Sequence, residues 1–340
     1  RVRSLGVAAG TLAALAVLGI TGDANAAVTL GSGIDTSGFD TSVRPQDDFF
    51  RYVNGGWIAR TEIPADKANY GSFTVLADNA ERDLRAIIEA AAAGKTHKQG
   101  TDAQKIGDMY ASFMDSARIE KLGVRPLQPE FHRVDAIRDR PGLVRYLSRA
   151  QRVNFNVPLG FFVNQDARDT TRYIVYWTQG GLGLPDRDYY LKSDEKFAGY
   201  RTAYLGYIER VLGLAGLKDV HAAAATIMKL ETRLAEAQWS REQNRDPVKT
   251  YNRYSIADAT RLTPGFDWAL FLDGVRAPAG DLVIQQPGYF TVLAKILDDV
   301  PLADWKVYLK YHVIDALAPD LGDAFVQANF DMYAKTLRGT

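Results

Sequence analysis

Gly180-Gly181-Leu182-Gly183-Leu184-Pro185-Asp186-Arg187-Asp188-Tyr189-Tyr190 is the stretch on which the reading of this 340-residue sequence turns. Three glycines within four positions permit positive φ or close approach of another backbone, and Pro185 then fixes its own φ. Arg187 stands between two aspartates, a spacing that suits a bidentate tie across the loop. On these residues alone two readings stay open, a rigid structural turn and a loop that lines a cleft. A second stretch, Asp47 to Trp57 (DDFFRYVNGGW), is equally particular. Asn54-Gly55 reads as a turn dipeptide, with Trp57 as a plug for the core beside it.

Around these stretches the periodicity is mainly helical. Leu84, Ile87, Ile88 and Ala91 fall at i, i+3, i+4 and i+7, and Gly94 is a natural stop. Tyr204, Tyr207, Ile208 and Val211 repeat the pattern before Gly213. Ile227, Leu230, Leu234 and Gln238 outline a longer helix from about His221 to Trp239. Ser255 to Asp258 reads as a capping box opening a short helix. Trp305, Tyr308, Leu309, His312, Val313 and Ala316 form another stripe, closed by Pro319. Each stripe is expected to be the buried face of a helix in a bundle. One segment breaks the rule. Asn156 to Asn164 and Thr171 to Thr178 are rich in Val, Ile and aromatics and flank polar Gln165 to Thr170. They predict an antiparallel hairpin, which must lean on helices or join a larger sheet to be stable.

Lysine plus arginine and aspartate plus glutamate both number 41, and 46% of residues are hydrophobic. That is the composition of a globular protein, and a balanced charge argues against nucleic acid as a partner. There is no cysteine, so disulfides, thiolate metal sites, cysteine nucleophiles and thioether lipid anchors are all excluded. Arg1 in place of methionine points to a trimmed start. Arg1 and Arg3 precede the apolar run Ser4 to Gly22, and Ala24-Asn25-Ala26 supplies an A-x-A cleavage site. Residues 1–26 therefore read as a secretory signal peptide, with an uncleaved anchor as the rival. Residues 27–46 read as a flexible leader and 47–340 as the folded body. The expected location is periplasmic or secreted, with no stable membrane association once the signal is removed.

The search for chemistry is negative. The four histidines, His97, His132, His221 and His312, include no H-E-x-x-H, the arrangement that sets two imidazoles on one helix face for zinc. His312, on an apolar face, reads as a satisfied core histidine. Neither G-x-S-x-G nor a phosphate-cradling loop occurs. Acidic pairs at Asp47-Asp48, Asp186/Asp188 and Asp298-Asp299 would serve glycoside hydrolysis only if they faced each other across a cleft. Turns and helix caps are their simpler use.

The two opening stretches carry a resemblance. DDFFRYVNGGW and GGLGLPDRDYYL are similar to signatures of the neprilysin family of zinc metallopeptidases, which also includes endothelin-converting enzymes and bacterial oligopeptidases. Asn69-Tyr70-Gly71-Ser72-Phe73, Tyr251-Asn252-Arg253-Tyr254, Phe266-Asp267-Trp268, Gln286 to Phe290 and Trp305 to Leu309 resemble further family segments in the expected order. The similarity runs from Asp47 to Thr340.

The resemblance implies a mainly α, multi-helix lobe of a two-lobed peptidase that hydrolyses short peptides, with the hairpin near 156–178 joining the catalytic lobe. It implies zinc held by H-E-x-x-H and a downstream E-x-x-x-D, with the first glutamate as general base for the zinc-bound water. None of these elements stands in this sequence. The chain is therefore expected to be the N-terminal domain of a zinc metalloendopeptidase, inactive alone, with no catalytic or metal-binding residue of its own. The alternatives are a stand-alone helical peptide-binding module that has lost the catalytic half, and an unrelated hydrolase using acidic pairs. Animal members carry a substrate-holding arginine just before the aromatic-Gly-x-Phe segment and an aspartate just after it. The matching positions here are Asn69 and Thr74. Asparagine cannot clamp a carboxylate as guanidinium does, which points to endopeptidase action rather than dipeptide release.

Overall fold

A computed structural model describes residues 32–94, 97–277 and 280–339. The expected signal peptide lies outside the described residues. The chain divides after Ile63 into two compact units.

In the first unit a 3₁₀ turn, Thr36–Gly38, precedes helix α1, Phe49–Arg60. Asp48 caps α1, its carboxylate accepting the Arg51 N–H at 2.8 Å, so the acid-then-aromatic sequence is a helix start. The helix runs straight through Asn54-Gly55, and the turn expected there is not made. Packing overrides the local preference. A Cβ on Gly55 would lie 2.6 Å from the Asp40 Cβ, and one on Gly56 would lie 2.8 Å from the Phe39 carbonyl oxygen. The missing side chains let segment 38–40 lie directly on α1. Trp57 is half-buried rather than a core plug.

The second unit opens with α2 (Ser72–Ala93) and α3 (Asp102–Met114), which pack on each other. Gly107 permits this, since a Cβ there would lie 2.8 Å from the Ala91 carbonyl oxygen. Helix α2 ends at Gly94 as its sequence predicts, but its apolar stripe is not buried. Leu84 and Ile87 are 56% and 59% exposed, and Met109 and Phe113 on α3 are 76% and 56% exposed. These faces have no cover among the described residues.

The remaining elements form the packed body. Helices α4 (Ser116–Leu122), α5 (Gln128–Asp135) and α6 (Arg140–Arg152) lead into strands β1 (Leu159–Asp166) and β2 (Asp169–Gln179). Helices α7 (Asp188–Leu191), α8 (Glu195–Leu214), α9 (Val220–Ala237) and α10 (Arg241–Asn244) follow. After β3 (Arg253–Tyr254) come α11 (Ile256–Leu262), α12 (Trp268–Val275), β4 (Leu282–Ile284), α13 (Pro287–Asp299), α14 (Leu302–Leu317) and α15 (Asp323–Asn329). A π-helical segment, Phe330–Thr336, continues α15. Helix α8 passes its expected stop at Gly213 and ends near Gly216, whose φ of 77° suits a helix terminator.

The sheet order is β1-β2-β4-β3. The hairpin pairs Phe161 with Trp177 and Val163 with Val175, and its strands extend until only Ala167 and Arg168 lie between them. Its support comes from this chain, because β4 pairs parallel to β2 and β3 antiparallel to β4. Ile174 to Trp177 are buried, the mark of a strand covered on both faces. Buried Asp166 anchors the hairpin end, accepting from Arg172 Nη2 at 2.6 Å and the Tyr251 hydroxyl at 2.6 Å.

One large core lies between the sheet and α6, α12 and α13, around Trp177, Trp268, Phe271, Phe290 and Leu147. A second lies among α8, α9, α14 and α15, around Tyr204, Ile208, Ile227, Ile314 and Phe325. Helices α9 and α14 contribute to both. Leu230, Leu234, Trp305 and Tyr308 enter the first, while Ala224, Ile227, Tyr311 and Ile314 enter the second. Polar groups buried on α9 and α14 therefore sit along the seam between two apolar cores.

Candidate functional site

The glycine stretch from Gly180 lies over this seam, and it is a structural turn built by close approach. Gly181 has φ +87°, and a Cβ there would lie 2.6 Å from the Pro158 Cα and 2.7 Å from the Tyr308 hydroxyl. A Cβ on Gly183 would run into the Tyr204 hydroxyl. Side chains satisfy the backbone thus enclosed. The Gly180 carbonyl accepts from Gln238 Nε2 at 2.8 Å and the Tyr289 hydroxyl at 3.2 Å. The Gly181 carbonyl accepts from the Tyr308 hydroxyl at 2.8 Å. Asn156 spans the bend, accepting the Gly181 N–H at 3.2 Å and donating from Nδ2 to the Leu182 carbonyl at 2.9 Å. The Leu184 N–H donates to the Tyr190 hydroxyl at 2.9 Å.

Beneath the loop lies Glu231 of α9, fully buried. It accepts from the Tyr190 hydroxyl at 2.6 Å, the Tyr204 hydroxyl at 3.0 Å and the Gly183 N–H at 3.4 Å. The equally buried His312 of α14 places Nε2 2.9 Å from Glu231 Oε1, off the line of a good N–H bond. A buried carboxylate is tolerable only with donors of this number. One turn along α14, Asp315 accepts from the Tyr207 hydroxyl at 2.6 Å and the Tyr333 hydroxyl at 3.0 Å. Burial pushes its carboxyl above the ordinary range, against the pull of those two hydroxyls. Burial, reinforced by Glu231, likewise drives Tyr190 and Tyr204 well above the usual phenol value and keeps both as donors.

Several stretches singled out in the sequence thus meet at one place: the glycine loop, Tyr289 of the Gln286 to Phe290 segment, and Tyr308 of the Trp305 to Leu309 segment. Gln286 holds the neighbouring end of β2, its Oε1 accepting the Gln179 N–H at 3.0 Å. His312 is buried in the core as its apolar face predicts, but it is not fully satisfied, since Nε2 has no hydrogen-bond partner among the described residues. The sequence reading missed Glu231, although Ile227, Glu231 and Leu234 share the i, i+4, i+7 face of α9.

Arg187 does not tie its flanking aspartates. Asp186 pairs with Arg241 at 2.5 Å and Asp188 with Lys192 at 2.9 Å, while Arg187 Nε is buried without a hydrogen-bond partner. Asp298 and Asp299 turn to different cations, Arg140 at 3.8 Å and Arg233 at 3.3 Å. The acidic pairs are caps and ion-pair members, which removes the observation that favoured an acid-pair hydrolase. Asn69 is exposed in the loop leading into α2, and Thr74 is half-buried in the first turn of that helix.

The residues present do not fit a zinc centre. His97 contacts the Ala91 carbonyl, His132 is exposed, His221 pairs with Glu209 on the surface, and His312 is enclosed beside Glu231. Among the described residues no group of three or more potential ligands is placed to hold a metal. A groove of about 560 Å³ between α8 and α9 is lined by Glu209, His221, Lys229, Arg233 and Glu236, mixed charges that select no ligand. No helix among the described residues is long and apolar enough to cross a membrane.

Comparison with known proteins places this architecture. The N-terminal family model described as Peptidase family M13 matches residues 45–340. Endothelin-converting enzyme-like 1 of Rattus norvegicus is 29% identical, over 89% of this chain and 41% of the relative. Endothelin-converting enzyme 1 of Homo sapiens is 26% identical, over 98% and 45%. Among solved structures, the inhibitor complex of the zinc metalloprotease Zmp1 of Mycobacterium tuberculosis superposes with a TM-score of 0.81 and 39% identity, covering 91% of this chain and 47% of that one. PepO of Lactobacillus rhamnosis, at 19% identity and a TM-score of 0.68, shares the fold. The chain thus spans less than half the length of these relatives. Its family segments lie in order across nearly the whole chain, three of them meet at one buried node, and the chain belongs to Peptidase family M13, the neprilysin family of metallopeptidases, as its N-terminal region.

Proposed function

We propose that this chain is the helical, access-restricting part of a secreted or periplasmic zinc metalloendopeptidase that hydrolyses short peptides. The carrying observation is the match over residues 45–340 to the N-terminal family model, at less than half the length of the relatives. The likeness to a zinc metalloprotease at 39% identity supports zinc as the cofactor of the longer protein, with ligands outside this chain. The role of this chain is then mechanical. It supplies a rigid wall, held by the node under the glycine loop, and leaves water activation to residues elsewhere. Export rests on the signal-like residues 1–26, and cleavage of that signal would leave no membrane-spanning helix among the described residues.

Peptide selection is assigned to the N-terminal end of α2, where Asn69 and Thr74 stand. Without a guanidinium there, recognition of a free C-terminal carboxylate is weak and internal bonds are cut. In the longer enzyme, Asn69→Arg should raise C-terminal dipeptide release relative to internal cleavage, read by mass spectrometry of products. An unchanged product pattern would remove Asn69 from the site.

The second reading is a stand-alone peptide-binding module, favoured by two apolar cores built from this chain's own helices and sheet. Reading the gene beyond the codon for Thr340 separates the two. Continuation into H-E-x-x-H supports the peptidase, and an immediate stop supports the module.

A further inference from the structure

The contacts of Asn156 fix the charge state of His312. The amide orientation of Asn156 is set by two groups with no choice of role: the Gly181 N–H can only donate, and the Leu182 carbonyl can only accept. Nδ2 of Asn156 therefore faces His312, 3.4 Å from its Nδ1. Nδ2 is a donor, so Nδ1 must be the acceptor and carries no proton. The imidazole is then neutral, with its hydrogen on Nε2, and Glu231 Oε1 lies 2.9 Å from that nitrogen but off the N–H line.

The groups around the ring set up the opposite tendency. Glu231 faces it from α9, with Tyr204 of α8 and Tyr190 of α7 donating to that carboxylate. Tyr308 and Tyr311 of α14 pack edge-on, with ring centroids 4.3 Å and 5.0 Å away. Asp315 lies one turn further, bonded to Tyr207 of α8 and Tyr333 of the π-helical segment. Among the described residues no lysine or arginine pairs with Glu231 or Asp315, so His312 is the group that can bring positive charge to these two acids. Asn156 opposes that charge.

We propose that His312 is a proton-operated latch on the glycine loop: neutral while Asn156 is seated, it unseats Asn156 from Gly181 and Leu182 when a proton is added at Nδ1. The added N–H would point at an NH₂ group and repel it, while the imidazolium gains the carboxylate of Glu231. The effect is local. Gly183 and Leu184 stay held by Glu231 and Tyr190, while Gly181 loses the acceptor of its N–H. The loop joins β2 to α7, so acid loosens that joint while the cores on either side stay packed. The inference does not depend on the peptidase reading.

Residue-resolved hydrogen exchange on the full chain tests it, through the ratio of Gly181 to Leu184 amide protection corrected for intrinsic rates. From about pH 8 to about pH 5 the ratio should fall about five- to tenfold, the worth of one hydrogen bond to a buried amide. In His312→Phe the ratio should no longer change with pH. Should that variant not fold, Asn156→Asp keeps the test, because its carboxylate still accepts the Gly181 N–H and now welcomes a proton on Nδ1. Its ratio should stay level or rise in acid. A ratio independent of pH in the parent chain, or the same fall in either variant, would overturn the latch.

Discussion

Gly181 and Gly183 show what a single atom decides in this chain. Both lie where another side chain or backbone occupies the space of a Cβ, and Gly181 is also left-handed. Gly181→Ala should cost about 3 kcal/mol, combining strain at positive φ with overpacking against Pro158 and Tyr308, measured as a lowered denaturant midpoint. Glu231→Leu should cost at least as much, because the hydroxyls of Tyr190 and Tyr204 and the Gly183 N–H all lose their acceptor. Asp166 gives a pH-dependent case. The Tyr251 hydroxyl, the Arg168 N–H and Arg172 hold its carboxyl down to about 2, against the effect of burial. A depressed carboxyl contributes stability that is fully present above the ordinary carboxylate range and is lost as pH falls toward 2. Asp166→Asn should therefore destabilise the chain at neutral pH and flatten its stability between pH 4 and pH 2 in urea titrations. An unchanged acid limb would mean that the pair contributes nothing.

At the scale of elements, the reading of the sequence succeeded where periodicity and packing agree and failed where packing overrides local chemistry. The stripes of α8, α9 and α14 are buried as expected, apart from the exposed Ala316 at the end of α14, because their apolar residues meet the two cores. Asn54-Gly55 is helical because segment 38–40 needs the space its missing side chains leave, a contact no local signal announces. Gly→Ala inside a helix normally stabilises by about 1 kcal/mol. Gly56→Ala in α1 should instead destabilise, shown by a lower melting temperature, since its Cβ would meet the carbonyls of Phe39 and Gly38. The stripe of α2 is the opposite lesson: periodicity identified the helix but could not say whether anything covers it. Phe73, Leu84, Ile87, Met109 and Phe113 are all more than half exposed, a patch of the kind that drives association. The isolated chain should bind hydrophobic dye and self-associate. Leu84→Ser with Met109→Ser should reduce both while shifting stability by no more than about 0.5 kcal/mol, as surface changes do. Unaltered sedimentation would show that the patch is not the sticky surface.

For the whole molecule, the family was legible in the sequence because its segments are short, ordered and rich in Gly, Pro and aromatics. Their purpose was not legible. Gly180 to Leu184, Tyr289 and Tyr308 are far apart in sequence and become neighbours only when α13 and α14 fold against the end of β2. Glu231 was hidden because a charged residue on an apolar face looks like an interruption until its tyrosine donors arrive from α7 and α8. The same view explains why the search for chemistry failed: the polar residues buried under the glycine loop mainly hold backbone and one another. The central proposal is that this chain supplies structure and access to a peptidase without performing its chemistry. The most direct measurement is turnover of an internally quenched fluorogenic peptide by the purified 340-residue chain with added zinc, with and without chelator. The account predicts no chelator-sensitive turnover, and zinc-dependent cleavage by this chain alone would contradict it.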